Sequence, residues 1–103
     1  MTETNEHQAT NWDSVFEGMK RYLATIPMPA EFYRQGVLEM QEDLLLNYPD
    51  ELRATCESQK KLWVGEGYTG SDNKVAIEAL ILVACKHNIP FEFDPKFVMA
   101  RVK

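Results

Sequence analysis

The chain has 103 residues, of which 45% are hydrophobic, 11% aromatic and 26% charged, with a formal net charge of −5. A chain of this length and apolar content is expected to fold around one core, and its charge is too small to indicate wholesale disorder. The sequence pI near 5.0 argues against direct nucleic-acid binding, because affinity for a polyanion comes largely from Lys and Arg.

The first ten residues are polar and contain no apolar run, unlike a signal peptide or a transit sequence. We therefore expect a disordered polar tail over residues 1–10, a single helical domain over residues 11–103, and a cytoplasmic location. The longest apolar stretch, residues 75–85, is far shorter than the roughly 20 residues that span a bilayer, so no membrane partner is expected.

Apolar residues recur at three- and four-residue spacing over residues 12–26, which predicts a first helix. Asn11 lies at its expected start, where Ser14 and Glu17 also have the spacing of a capping box. Pro27 ends this helix, because proline removes a backbone donor and restricts the residue before it.

A second helix is predicted from Pro29, which suits a first helical position, to about Tyr48. Gly36 lies at the edge of its apolar face and suggests close approach by a neighbouring backbone. The residues of this core face are Tyr33, Val37, Met40, Leu44 and Tyr48, with Leu38 and Leu45 broadening it.

Pro49 begins a third predicted helix, whose apolar face is narrow and therefore indicates a peripheral position. That face consists of Leu52, Cys56 and Trp63, with Leu62 beside them. A glycine-containing loop is predicted over residues 65–71, after which Ser71 or Asp72 is expected to cap the next helix.

The fourth predicted helix is apolar at ten of the eleven positions over residues 75–85. A helix that is hydrophobic nearly all round must be surrounded, so we expect the other helices to pack against it, with Leu80 and Leu82 in the core. Glu78 is the one polar residue of this run. We expect it to reach solvent along an exposed strip, the alternative being a buried functional carboxylate.

The C-terminal segment after Pro90 is ambiguous. Phe91 and Phe93 alternate as in a short strand, whereas Asp94 and Pro95 form a helix N-cap and first-position pair. We favour a short fifth helix. The sequence thus predicts an all-α fold, a compact single domain of four to five helices around a central apolar fourth helix.

Gly65, Gly67 and Gly70 spell G-x-G-x-x-G, the spacing of a dinucleotide-binding loop. That motif requires a preceding strand, whereas a helix is predicted here, and Glu66 would repel a pyrophosphate. We therefore expect a plain connection rather than a nucleotide site, and no cofactor.

Metal binding and nucleophilic catalysis also lack convergent residues. The soft metal ligands are His7, Cys56, Cys85 and His87, and the two that are close in sequence do not face the same way on a helix. Glu57, next to Cys56, would raise rather than lower a thiol pKa. We expect two reduced structural cysteines, no metal, and no catalytic residue.

The outward side of the second helix is the most informative feature. Phe32, Glu39 and Leu46 recur at seven-residue intervals opposite the core face, with Glu42 and Asp43 beside them. Large apolar residues amid carboxylates are typical of a protein-binding helix face. The alternative is that another element covers Phe32 and Leu46.

Three further residues are assigned to partner binding. Asp50 and Glu51 extend the acidic cluster into the next helix, where they could steer a basic partner. Tyr68 is expected to be displayed on the glycine-containing loop.

We therefore expect a non-enzymatic regulator or inhibitor that docks on a larger, more basic protein or complex, with a homodimer as another arrangement. Small size and acidity are also features of bacteriophage accessory proteins that block host factors. This likeness rests on size and charge, and no sequence motif supports it. One alternative is an acidic competitor of nucleic acid on a nucleic-acid-binding target. Another is a small-ligand binder or enzyme with a pocket near Trp63 and Tyr68.

Overall fold

The described residues form four α-helices and contain no strand. The structure, a computed structural model, describes residues 10–25 and 31–90, and for residues 31–33 the backbone alone. The helices are α1 (Trp12–Ala24), α2 (Glu31–Asn47), α3 (Pro49–Gly65) and α4 (Asp72–Lys86). This confirms the all-α class. Most of the expected polar tail and the predicted fifth helix lie outside the described residues.

Local signals account for the starts of three helices. Asn11 caps α1, since its side-chain oxygen accepts a hydrogen bond from the backbone N–H of Ser14 at 3.2 Å. Ser14 is thus inside the first turn, and the capping box expected from it is replaced by this bond. Ser71 caps α4 by accepting from the backbone N–H of Asn73 at 2.9 Å, and Pro49 occupies the first position of α3.

The core forms around α4, against which each of the other three described helices packs. This confirms the expected central position of α4. Its buried residues are Val75, Ala76, Ile77, Ala79, Leu80, Val83 and Ala84. The predicted narrow face of α3 is confirmed, since Leu52 and Cys56 are its buried residues, although α3 packs along α4 more extensively than α1 or α2 does.

One strip of α4 remains open to solvent. Leu82 is 38% exposed, and Cys85 is also exposed. The prediction from the sequence that both are core residues is therefore wrong. Three neighbouring helices do not enclose the whole circumference of α4. Because its sequence is almost uniformly apolar, it does not indicate which side of the helix is exposed. Glu78 is half-buried and reaches solvent as expected.

The predicted core faces of α1 and α2 are confirmed where their side chains are described. Their buried residues are Trp12, Phe16, Met19 and Leu23 on α1, and Val37, Met40 and Leu44 on α2. Gly36 is also buried, whereas the close approach of a neighbouring backbone stays a prediction. In the part of the chain that is described, no helix is both long enough and apolar enough to cross a bilayer.

Candidate docking face

Leu46 lies on the outward side of α2 and is 79% exposed. On the opposite side of the same helix, Val37 and Leu44 are fully buried. Among the described residues no element covers Leu46, and residues 91–103 lie outside them. The side chain of Phe32 lies outside the described residues, so its pairing with Leu46 stays a prediction.

Three carboxylates surround Leu46 on this side of α2. Glu39 accepts a hydrogen bond from Gln35 Nε2 at 3.0 Å, and Asp43 accepts one from Asn47 Nδ2 at 2.8 Å. Glu42 is exposed and makes no hydrogen bond or ion pair with a described residue. Because neither neighbouring amide carries a charge, the negative charge of all three carboxylates is left without a neutralising cation in the described structure.

Asp50 extends this acidic surface to the first turn of α3. Its side chain is fully exposed, and one carboxylate oxygen lies 3.4 Å from Arg53 Nη1. Arg53 makes its closer contact with Asp13 of α1, at 2.9 Å, and this hydrogen bond raises the pKa of the guanidinium. Asp50 is therefore held only loosely and remains open to a partner.

Glu51 faces α4 instead of the outward side of α2. Its carboxylate lies 2.7 Å from His87 Nε2 and 2.9 Å from Lys86 Nζ. The hydrogen bond with His87, followed by the one with Lys86, lowers the pKa of Glu51. The His87 ring also stacks on Tyr48 with centroids 3.8 Å apart. Internal contacts thus occupy the Glu51 carboxylate and join α3 to α4.

Tyr68 is half-buried rather than displayed. Its hydroxyl donates to the backbone oxygen of Ser71 at 2.8 Å, and its ring packs edge-on against Trp63 with centroids 4.9 Å apart. The 17 residues of α3 span about 25 Å, so Tyr68 and Asp50 lie near opposite ends of that helix. Tyr68 is therefore far along α3 from Asp50.

A depression of about 380 Å³ lies where the sequence suggested a pocket for a small ligand. It is lined by Trp63, Glu66, Gly67, Tyr68 and Lys74. Lys74 Nζ lies 5.9 Å from the centre of the Trp63 ring and covers part of that aromatic surface. The loop is also shorter than expected, because α3 continues through Gly65.

The two cysteines differ in burial. Cys56 is fully buried, and this burial, with a smaller contribution from Glu57, raises the pKa of its thiol to about 12. Cys56 is thus a protonated core residue, as expected, whereas Cys85 is exposed and the expectation of a buried structural thiol is wrong for it. Among the described residues, no group of three or more His, Cys, Asp or Glu side chains is placed to hold a metal ion.

Sequence reasoning missed a groove between α1 and α2, beside the acidic side of α2. The signal that could have revealed it is Gln41, a polar residue four positions after Val37 and three before Leu44, and therefore on the core face of α2. The groove is lined by Asp13, Phe16, Glu17, Gln41, Leu45 and Arg53.

The outward side of α2 thus combines one prominent leucine with three exposed carboxylates on a rigid helix. We refer to Glu39, Glu42, Asp43 and Leu46 as the α2 docking face. Comparison of the chain with models of protein families, with curated proteins and with solved structures finds no match.

Proposed function

We propose that this protein is a regulator or inhibitor without catalysis of its own, which docks on a larger protein with a basic surface through the α2 docking face. The exposure of Leu46, at 79%, is the observation that carries this proposal. A large exposed apolar side chain beside carboxylates near the end of a helix contributes little to the isolated fold, whereas it can be buried by a partner.

Leu46 and the carboxylates of the α2 docking face are expected to have different roles in binding. Burying a leucine side chain contributes about 1.5–3 kcal/mol, so Leu46 is suited to hold the complex together. Glu39, Glu42 and Asp43 lie around it and would act mainly on the rate of encounter with a basic surface, because rim charges remain partly solvated. Partner charge and shape would then both contribute to specificity.

Competition with nucleic acid is the second candidate function, favoured by the exposed carboxylates of α2 that no cation neutralises in the described structure. An acidic face of this kind could occupy a phosphate-binding channel on a target protein. It ranks second because Leu46 would contribute nothing to the imitation of phosphates, and because a net charge of −5 is modest for such a role.

The first test compares two apolar positions. Leu46→Ser is expected to abolish capture of the partner from an extract of the producing cells, because anchors of this kind contribute about 2 kcal/mol or more. Leu62→Ser is the matched control, since Leu62 is also exposed, at 54%, but lies on α3. The partner is identified as the protein that wild type and Leu62→Ser retain and Leu46→Ser does not. Circular dichroism and thermal melting establish that both variants stay folded.

The second test reverses charge at Glu39, Glu42 and Asp43, with Glu66→Lys as the control on the α3–α4 loop. The reversals are expected to slow association and to flatten its dependence on salt concentration. If only the charge reversals weaken capture, competition with nucleic acid replaces apolar docking. If Leu46→Ser binds the partner as wild type does, the α2 docking face is not the interface.

A further inference from the structure

The open strip of α4 occupies one side of the second half of that helix. It consists of Glu78, Ile81, Leu82, Cys85 and Lys86, whose three- and four-residue spacing places them on the same side. Leu82 and Cys85 are exposed, and Ile81 is half-buried against the core. None of the other three described helices encloses this side of α4. The strip is therefore an apolar surface available to a further molecule.

A groove of about 400 Å³ lies beside the strip, between α3 and α4. Short side chains of α3, namely Ala54, Thr55 and Ser58, line one wall, and Leu82 forms part of the other. Ala54 and Ser58 are exposed and lie four positions apart, on one side of α3. Short side chains at this spacing leave room for large side chains of a second helix. The surface thus combines a prominent leucine with the space to receive one.

Two residues of opposite charge lie one turn on either side of Leu82. Glu78 precedes it by four positions, is half-buried and makes no hydrogen bond or ion pair with a described residue. Lys86 follows it by four positions and lies 2.9 Å from Glu51, but its side chain is 69% exposed. Since an ammonium group carries three N–H donors, Lys86 can meet a second carboxylate as well.

This arrangement of charge makes the strip complementary to itself. A contact across a twofold axis joins two copies of the same surface, so each residue must suit the one that it faces. When two α4 helices lie antiparallel with the axis at Leu82, Glu78 of each copy faces Lys86 of the other, because both are four positions from the axis. The Leu82 side chains then meet near the axis, where the groove beside α3 leaves room for them.

The α2 docking face lacks this self-complementarity. Its charged residues, Glu39, Glu42 and Asp43, are all negative, so two copies that met there would repel each other. The net charge of −5 also opposes self-association through any surface on which the charges are not balanced. The open strip of α4 contributes one charge of each sign and is suited to a second copy of the chain.

We propose that the open strip of α4 is a homodimer interface, in which two antiparallel α4 helices meet at Leu82 and Glu78 of each copy pairs with Lys86 of the other. Because the strip has only two large apolar side chains, Ile81 and Leu82, association is weak and reversible. The interface contains no residue of the α2 docking face and is independent of the proposed function. Each dimer carries two such faces, which strengthens binding to a target with repeated sites.

The first test measures the mass of the full chain by sedimentation equilibrium, with a thiol reductant present so that no disulfide contributes. The mass is expected to rise with protein concentration from 11.9 kDa towards twice that value. Leu82→Ser is expected to weaken the dimer by about tenfold or more, because an apolar contact is lost on both sides of the axis. Leu46→Ser is the matched control on α2. A mass of 11.9 kDa at every concentration, or equal weakening by the two variants, would overturn the proposal.

The second test exchanges the two charges and does not depend on the folding of Leu82→Ser. Glu78→Lys and Lys86→Glu are each expected to dimerise more weakly than wild type, because like charges then face each other. An equimolar mixture should form heterodimers, since each contact in them joins a lysine to a glutamate. A purely structural role of either residue would not produce this rescue. A mixture that associates no better than its components contradicts the pairing.

The third test uses the Cys85 thiol as a probe of the strip. Its reaction with an aromatic disulfide reagent is expected to be fast in dilute solution and to slow as the protein concentration rises. Leu82→Ser should remove this dependence on concentration. A rate that is fast at every concentration would show that no second copy covers the strip. A rate that is slow at every concentration would show that the chain's own residues 91–103 occupy it, and either result overturns the proposal.

Discussion

At the scale of single residues, burial gives the two cysteines different chemistry. Cys56 is fully buried with a pKa raised to about 12, whereas Cys85 is exposed near the end of α4. Because the thiolate is the reactive form, a buried thiol with a raised pKa reacts slowly, whereas an exposed thiol is accessible to a reagent.

We therefore predict that one thiol of the native protein reacts with an aromatic disulfide reagent, and that the second reacts only after unfolding. Absorbance of the released aromatic thiolate measures both values. Cys85→Ser should remove the native reaction, and Cys56→Ser should leave it unchanged. Two fast thiols in the native protein would contradict the burial of Cys56.

Two leucines that lie two positions apart on α4 also differ in burial. Leu80 is fully buried and Leu82 is 38% exposed. Leu80→Ala is expected to lower the free energy of unfolding by about 2–5 kcal/mol, because it leaves a cavity in the core. Leu82→Ala should cost about 1 kcal/mol or less, as a partly exposed side chain does. Urea unfolding of both variants measures the difference, and equal losses would show that the open strip of α4 is covered.

At the scale of elements, Glu51 joins the start of α3 to the end of α4 through Lys86 and His87. Its folded-state pKa is lowered from the ordinary value of 4.5, chiefly by the hydrogen bond with His87. A carboxyl whose pKa is lower when folded contributes stability that is present above its unfolded pKa and is lost as pH falls through the folded pKa.

Glu51→Gln is accordingly expected to be less stable than wild type above pH 4.5, with the difference shrinking as the pH falls below that value. Urea unfolding of both proteins from neutral pH down to about pH 3 measures the two curves. Glu42→Gln is the control, because Glu42 makes no contact of this kind with a described residue. A difference that is the same at every pH would show that the carboxylate's charge plays no part in joining α3 to α4.

At the scale of the whole molecule, polar contacts connect helices that are far apart in sequence. The indole Nε1 of Trp12 donates to Glu57 Oε1 at 2.8 Å, and Arg53 pairs with Asp13 at 2.9 Å, so that α1 is tied to α3. Lys60 also lies 3.2 Å from Asp72, which ties α3 to the start of α4. The three helices are thus held around a shared core by contacts at its rim.

Trp12→Phe tests this connection. It keeps the aromatic contact but removes the donor, and we expect a loss of about 1.5–3 kcal/mol, the range for hydrogen bonds to charged groups. Glu57→Gln is expected to cost less, because the amide oxygen can still accept from the indole. Thermal and urea unfolding measure both variants. Equal stability of Trp12→Phe and wild type would mean that this bond does not hold α1 to α3.

Much of the fold could be predicted because its signals are local. The helical spacing from Trp12 to Leu23, Pro49 at the start of α3 and the Ser71 cap each act within a few residues. The core position of Gln41 was equally visible in the spacing of α2. Its buried and unpaired Oε1 was not, because that depends on how α1, with Phe16, packs against α2.

The sequence by itself determined the all-α class, the order of the helices, the central role of α4 and the acidic outward side of α2, since periodicity and capping are properties of neighbouring residues. The tertiary structure alone decided that Leu46 is open, that Leu82 is not core, and that Glu51 faces α4. Each of these depends on which side of a helix its neighbours cover. A helix that is apolar all round, or a carboxylate near a helix start, fits several such arrangements equally well.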